Sequence, residues 1–504
     1  MRPGAEHYDA VRYPGHFYPQ ASLDRLAVLG ALHGVRVAPV ERCRVLELGC
    51  GDGGQLIPLA EHFPDSDFLG IDSSAKAIED GRRVVEQLGL RNVRLEAGDI
   101  VEFAPDQLSF DYVICHGVLS WVPEAVRERI LRLCGSCLTP HGVAYVSYDT
   151  LPGGYIKHMT RDLVRFHTRR MTDPGEKARA ARDVVEFVSH AMSAPSMERE
   201  FFRREIAPYE GKDYFLIHDL LAGVDDPVYF LDFMEVATRE GLQFLSEANP
   251  ESMRATHLPE PVRKQLEALP DRLEREQYLD FINLRRFRQT LLCRAAEKVD
   301  LEVTPRRLED VLIATAARPV GETIASAAGP DEIEFSCGQA SRVTLADPAA
   351  KALMLALAEA HPRALRYSEL RAAACRKRGI DPQQLREEDD ARQIRFLVAS
   401  FANGLVALRA HQYEYLTSVS GRPAVSALTR HLAARGEPVV SRTLETFYLA
   451  PGLVHSLVPL LDGSRDFEGL MIDLAARNPE RSGITTENLE RALNTLCATA
   501  LLVG

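Results

Sequence analysis

No run of this 504-residue chain is apolar over the roughly 18 residues that a membrane-spanning helix requires. Its opening residues, MRPGAEHYDAVRYPGHFYPQ, lack the apolar centre of a secretory signal. Both point to a soluble protein, with the cytoplasm as the expected compartment and no membrane partner. Cysteine is scarce: nine residues, an odd number scattered along the chain, do not make a disulfide framework. Cys134 and Cys137 form one C-x-x-C without a second pair at zinc spacing, so they read as buried thiols and no metal is expected. Positive charge is in deficit, with 60 Lys and Arg against 72 Asp and Glu and a net charge of −12. No basic stripe stands out, and nucleic acid is not an expected partner. The single tryptophan, Trp121, is expected to pack its own loop.

What the chain does have is an organising stretch, RVLELGCGDGGQLIPLAEHFPDSDFLGID, from Arg44 to Asp72. It reads as a short strand over 44–48, a glycine-rich turn, a helix over 55–62 and a second strand ending at Asp72. Gly49, Gly51 and Gly53 allow close approach of backbone to a ligand. Gly49, Gly51 and Gly54 also satisfy the dinucleotide fingerprint, so the spacing alone is ambiguous. Glu47, two residues before the first glycine, would repel a pyrophosphate but suits a cationic amino and sulfonium group. Asp72 suits ribose hydroxyls, and Asp99, after a third strand over 93–96, suits an adenine amino group. Three acids at three successive strand ends favour S-adenosylmethionine as cofactor. The expected contacts are Glu47, Gly49, Cys50, Gly51, Asp52, Gly53, Asp72, Ser73, Asp99, Ile100 and His116.

Strands and helices go on alternating to a fifth strand over 142–148, which predicts an α/β fold: a Rossmann-like parallel sheet covered by helices, its crevice at the strand C-termini. Residues 1–43 read as an aromatic arm that either covers the cofactor or straps the fold. Residues 44–151 form the cofactor-binding core. A helical insertion follows over 152–225, placed for substrate binding or a homodimer contact. The sheet resumes over 226–296, where Leu242–Leu245 and an antiparallel Phe287–Cys293 would complete seven strands. Residues 297–504 read as a separate, mostly helical region with a weak internal repeat. Its helix-helix-helix-strand order suggests two winged-helix-like units, with protein docking preferred over DNA.

Four segments, Val45–Gly54, His116–Pro123, Val143–Tyr148 and Phe287–Cys293, together resemble the bacterial methyltransferases with a regulatory domain, which include rickettsial protein lysine methyltransferases acting on outer-membrane proteins. The resemblance implies a class I S-adenosylmethionine-dependent methyltransferase with a protein lysine acceptor. The chain departs from the family pattern at Gln55, Leu119, Asp149, Leu151 and Gly154, on the acceptor side, so a different substrate is expected.

Methyl transfer is an in-line displacement, and the protein's task is to position an uncharged nucleophile. His116, after the fourth strand, and Tyr148, ending the fifth, are expected to flank the methyl group, with Tyr13 and Tyr8 of the arm lying across it. His116 reads equally as a base or as an orienting group. The motif [DN]-P-P-[YFW] of base-nitrogen methylation is absent after the fourth strand. A protein lysine, a small amine or phenol, and a cofactor-sensing docking module without transfer activity all remain open.

Overall fold

The computed structural model describes residues 14–503 except 107, 193–195, 210, 321–328, 330, 338–340, 450 and 478–484. Tyr8 and Tyr13 therefore lie outside the described residues. The strands of the main sheet are β1 (Arg44–Leu48), β2 (Asp67–Asp72), β3 (Val93–Ala97), β4 (Phe110–Cys115), β5 (Leu138–Asp149), β6 (Leu242–Glu247) and β7 (Phe287–Arg294). They make one sheet in the order β3-β2-β1-β4-β5-β7-β6. β1 to β5 are parallel, and β7 runs antiparallel to both β5 and β6. Phe287–Cys293 thus rejoins the sheet begun at Arg44, with Leu291 opposite Tyr145. The strand order reverses between β1 and β4, which opens a crevice at their C-terminal ends.

The period of two along β5 sorts its side chains. Val143 and Tyr145 join a core with α1 (Leu23–Leu32), whereas Ala144, Val146 and Tyr148 pack under α4 (Glu124–Cys137) and α9 (Phe230–Arg239). Between them in the chain, α2 (Leu56–His62) follows the glycine turn and α3 (Ala75–Leu88) follows β2. Ser74 caps α3, its Oγ accepting the Ala77 N–H at 3.1 Å. Both cysteines of the C-x-x-C pair lie buried in α4.

The insertion comprises α5 (Gly154–Thr168), α6 (Pro174–Ala191), α7 (Met197–Ile206) and α8 (Asp213–Asp219). It carries its own apolar cluster of Val164, Ala181, Val185, Leu216 and Ile217. The chain then returns through α9, α10 (Glu260–Glu267) and α11 (Arg272–Asn283), the last two unanticipated from sequence.

Beyond residue 297 the region is mostly helical. Helices Pro348–Ala360, Tyr367–Arg378 and Glu387–Ala402 are followed by strand Ala407–Arg409, which pairs with Leu312–Ala314. Leu308, Ile313, Leu353 and Leu397 share one continuous core with α1, Tyr112 and Val143, so this half packs directly on the sheet. Asp24 fastens it, its Oδ1 accepting the Ala410 N–H at 2.7 Å. The last residues build a second cluster around Leu461, Leu474 and Leu493. No helix among the described residues is long and apolar enough to cross a membrane.

Candidate active site

A cavity of 1570 Å³ opens at the strand C-termini, walled by the glycine turn, the arm, the insertion and Tyr448 from the far end of the chain. Gly49, Gly51 and Gly53 all adopt positive φ, but for different reasons. A Cβ on Gly49 would meet Val118 at 2.3 Å and one on Gly53 would meet Leu95 at 3.0 Å, whereas one on Gly51 would meet nothing within 4 Å. Only Gly51 leaves bare backbone toward open space. Its N–H donates to Asp72 Oδ2 at 2.8 Å, and Ser74 N–H donates to Oδ1 at 2.8 Å, which fixes the carboxylate at the end of β2. Glu47 is 4% exposed, and its Oε2 has no hydrogen-bond partner among the described residues. Burial, then the charges of Asp72 and Asp52, push its carboxyl well above the usual range. Asp99 Oδ1 accepts the Val101 N–H at 2.9 Å at the end of β3, beside Ile100.

The arm crosses this turn. A Cβ on Gly54 would sit 2.5 Å from the Gly15 carbonyl carbon, so the two segments touch backbone to backbone. Gln55 clamps the arm at Tyr18, accepting its N–H at 2.8 Å and donating to its carbonyl at 3.4 Å. The Tyr18 ring lies 3.9 Å from that of His116, centroid to centroid. On its other side His116 Nδ1 is hydrogen-bonded to the Tyr145 hydroxyl at 2.9 Å and lies 3.2 Å from Ser147 Oγ. Burial lowers the His116 imidazole to about 4, so the ring is neutral at pH 7.

Opposite stands a wall of paired charges. Asp149, at the end of β5, accepts from Lys157 Nζ at 2.8 Å, and Asp219 pairs with the same ammonium. Glu205 lines the cavity as well, paired with Arg286 at 2.6 Å. Burial raises Asp149 to about 6 against the pull of Lys157.

Of the expected cofactor contacts, Glu47, Gly49, Cys50, Gly51, Asp52, Asp72, Ser73, Asp99, Ile100 and His116 line the cavity. Gly53 does not, because its turn faces the core side chains of Leu95 and Ile57. Tyr148 is also misplaced: it is buried on the opposite face of the sheet, stacked on Phe233 and bonded to Thr290 Oγ1 at 3.1 Å. Tyr145, three residues earlier and of opposite strand parity, is the β5 tyrosine that meets His116. Tyr13 lies outside the described residues. Sequence reasoning passed over Gln55 as a clamp and over Lys157; Trp121, expected to pack its loop, lines the cavity with Lys157 Nζ 4.4 Å from its ring centroid.

Residues 39–178 match a family described as a methyltransferase domain, and residues 212–294 one described as a predicted methyltransferase regulatory domain. An uncharacterized protein of Rickettsia prowazekii, RP028, is 31% identical over 242 residues, which are 47% of this chain and 96% of that protein. The chain belongs to the S-adenosylmethionine-dependent methyltransferases that carry this regulatory domain. RP789 of the same organism is 36% identical over 298 residues, 59% of this chain and 54% of RP789, so the match spans about half of that relative's length. The structure of PKMT2 from Rickettsia typhi in complex with AdoHcy superposes with a TM-score of 0.85 at 25% identity, covering 98% of this chain and 100% of that one. The methyltransferase's residues fit its cofactor, S-adenosylmethionine. The buried, unpartnered oxygen of Glu47 calls for a cation, and the bare backbone of Gly51 leaves room for a ligand beside the fixed Asp72 carboxylate.

Proposed function

We propose that this methyltransferase carries a methyl group from S-adenosylmethionine to the side-chain amine of a lysine in a protein or peptide. The observation that carries this reading is the meeting of the Asp149 and Asp219 carboxylates with the Trp121 ring, which together already hold the ammonium of Lys157 in the same cavity. Carboxylates beside an aromatic face suit an alkylammonium group. Pockets for one drug-sized ligand reach about 1,000 Å³, so 1570 Å³ leaves room for a side chain to enter beside the cofactor.

When bound, the cofactor supplies an electrophilic methyl on a sulfonium sulfur, and the chain's residues do the placing. Glu47 balances the cationic end, Asp72 receives the ribose hydroxyls, and Asp99 stands by for the adenine amino group. His116 works by orientation. With an imidazole at about 4 facing an ammonium near 10.4, taking the acceptor's proton would cost roughly 9 kcal/mol. Its neutral ring, held by Tyr145 and covered by Tyr18, instead closes the cavity and offers a hydrogen bond. Incubating the protein with methyl-labelled cofactor and a bacterial lysate tests the reading. The expected result is label on protein, located on lysine by mass spectrometry. Label on a small molecule would overturn the acceptor class, and no label at all would overturn transfer.

A further inference from the structure

Lys157 sits where a cavity built for a cationic substrate would be expected to keep a vacancy. From α5 it brings Nζ to 2.8 Å from Asp149 Oδ2 and 3.4 Å from Asp225 Oδ2, into an ion pair with Asp219 Oδ1, and to 4.4 Å from the centre of the Trp121 ring. Carboxylates joined to an aromatic face are the recognition chemistry of an alkylammonium group. Trp121, Asp149, Lys157 and Asp219 line the same cavity as Glu47, Asp72 and His116. Asp149 ends β5, next to β4, after which His116 follows directly.

Charge and burial add an independent sign. The Asp225 side chain is fully buried, neither of its carboxylate oxygens has a hydrogen bond among the described residues, and Oδ2 is directed at the Lys157 ammonium. Against Asp149, Asp219 and Asp225 stand the two cations Lys157 and Arg161, the latter 3.6 Å from Asp225 Oδ2, so the cluster retains an excess negative charge. His158 Nε2 lies 3.7 Å from the same oxygen. Burial works against the Lys157 charge, but Asp219, Asp149 and Asp225 outweigh it and hold the side chain protonated above the usual ammonium range. Such a lysine is no nucleophile; it is a bound cation.

We propose that Trp121, Asp149 and Asp219 form an alkylammonium subsite, which Lys157 fills from within the chain until the ammonium of an acceptor lysine exchanges with it. The role given to the acceptor rests on the proposed lysine methylation. An incoming ammonium makes the same ion pairs and the same ring contact, so exchange surrenders only the packing of the Lys157 stem, whose flexible carbons can swing aside.

The test uses n-butylammonium as probe, without cofactor or acceptor, on the full chain. Lys157→Met keeps the length of the stem and vacates the ammonium position, and Lys157→Gln is the second variant should the first fail to fold. Calorimetry is expected to show the probe binding the variant at least tenfold more tightly than wild type, with a matching rise in melting temperature. n-Butanol should have no such effect, and adding Trp121→Ala should abolish the gain. Equal binding to wild type and variant, or none to either variant, would overturn the subsite. If the probe binds as expected yet no lysine peptide is methylated, the subsite stands and the acceptor assignment falls.

Discussion

Replacing Glu47 by glutamine should produce two effects of opposite sign. In the free protein the carboxyl is 4% exposed, one oxygen lacks a hydrogen-bond partner among the described residues, and burial together with Asp72 and Asp52 pushes its pKa well above the usual range. In the unfolded chain it returns to about 4.3. The folded state therefore keeps the proton over a window in which the unfolded chain has lost it. Stability is complete below the unfolded value and declines as pH rises through the folded one. Glutamine does not ionise, so Glu47→Gln should melt at a higher temperature than wild type at neutral and alkaline pH, with the difference vanishing near pH 4. Cofactor binding should move the other way. Losing a charge-assisted contact to a cation costs about 1.5–3 kcal/mol, a loss of roughly 10- to 150-fold in affinity. Wild-type affinity should strengthen as pH rises, and binding should release a proton, seen by titration calorimetry in two buffers of different ionisation enthalpy; the variant should show neither. A variant that melts with wild type and binds S-adenosylmethionine equally well would refute the placement of the cofactor's cationic end at Glu47.

Gln55→Ala removes both bonds to Tyr18, at 2.8 and 3.4 Å. At about 1 kcal/mol each, the arm should open roughly 10- to 30-fold more often, measured as faster amide exchange at residues 15–18 and faster cofactor release. Tyr145→Phe should lower kcat several-fold by freeing the His116 ring while leaving cofactor affinity nearly unchanged, whereas Tyr148→Phe, altered on the far face of the sheet, should change neither; equal losses in the two variants would contradict the assignment of faces. Arg288 is fully buried, bonding Glu247 at 2.6 Å and Asp280 at 2.8 Å with its guanidinium 3.9 Å from the Phe230 ring centre. Arg288→Met strands those carboxylates and should cost about 3–5 kcal/mol in a denaturant titration.

Local information decided a great deal here. The runs 44–48, 67–72 and 93–97, the glycines between them and the acids at their ends are contiguous in the chain, and their periodicity and steric freedom carry the sheet, the crevice and the cofactor without any long-range contact. Even β7 was legible, because Phe287–Cys293 stands where a seven-stranded sheet still needed its last, antiparallel strand. Pairing across distance was not legible. Both Tyr145 and Tyr148 lie on β5, and a strand pattern says only that they point to opposite faces; the packing of α1 on one face and of α9 on the other decides which one meets His116. Gln55 looks like an ordinary helix-entry residue until Tyr18, 37 positions earlier, is laid against it. Lys157 reads as a solvated helix charge until the insertion folds back and Asp219 and Asp225 arrive from more than sixty residues downstream. The sequence specifies such contacts only through the whole fold, because the energy that selects a partner for a buried amide or ammonium comes from excluding water around both groups, and that happens only once distant segments have packed.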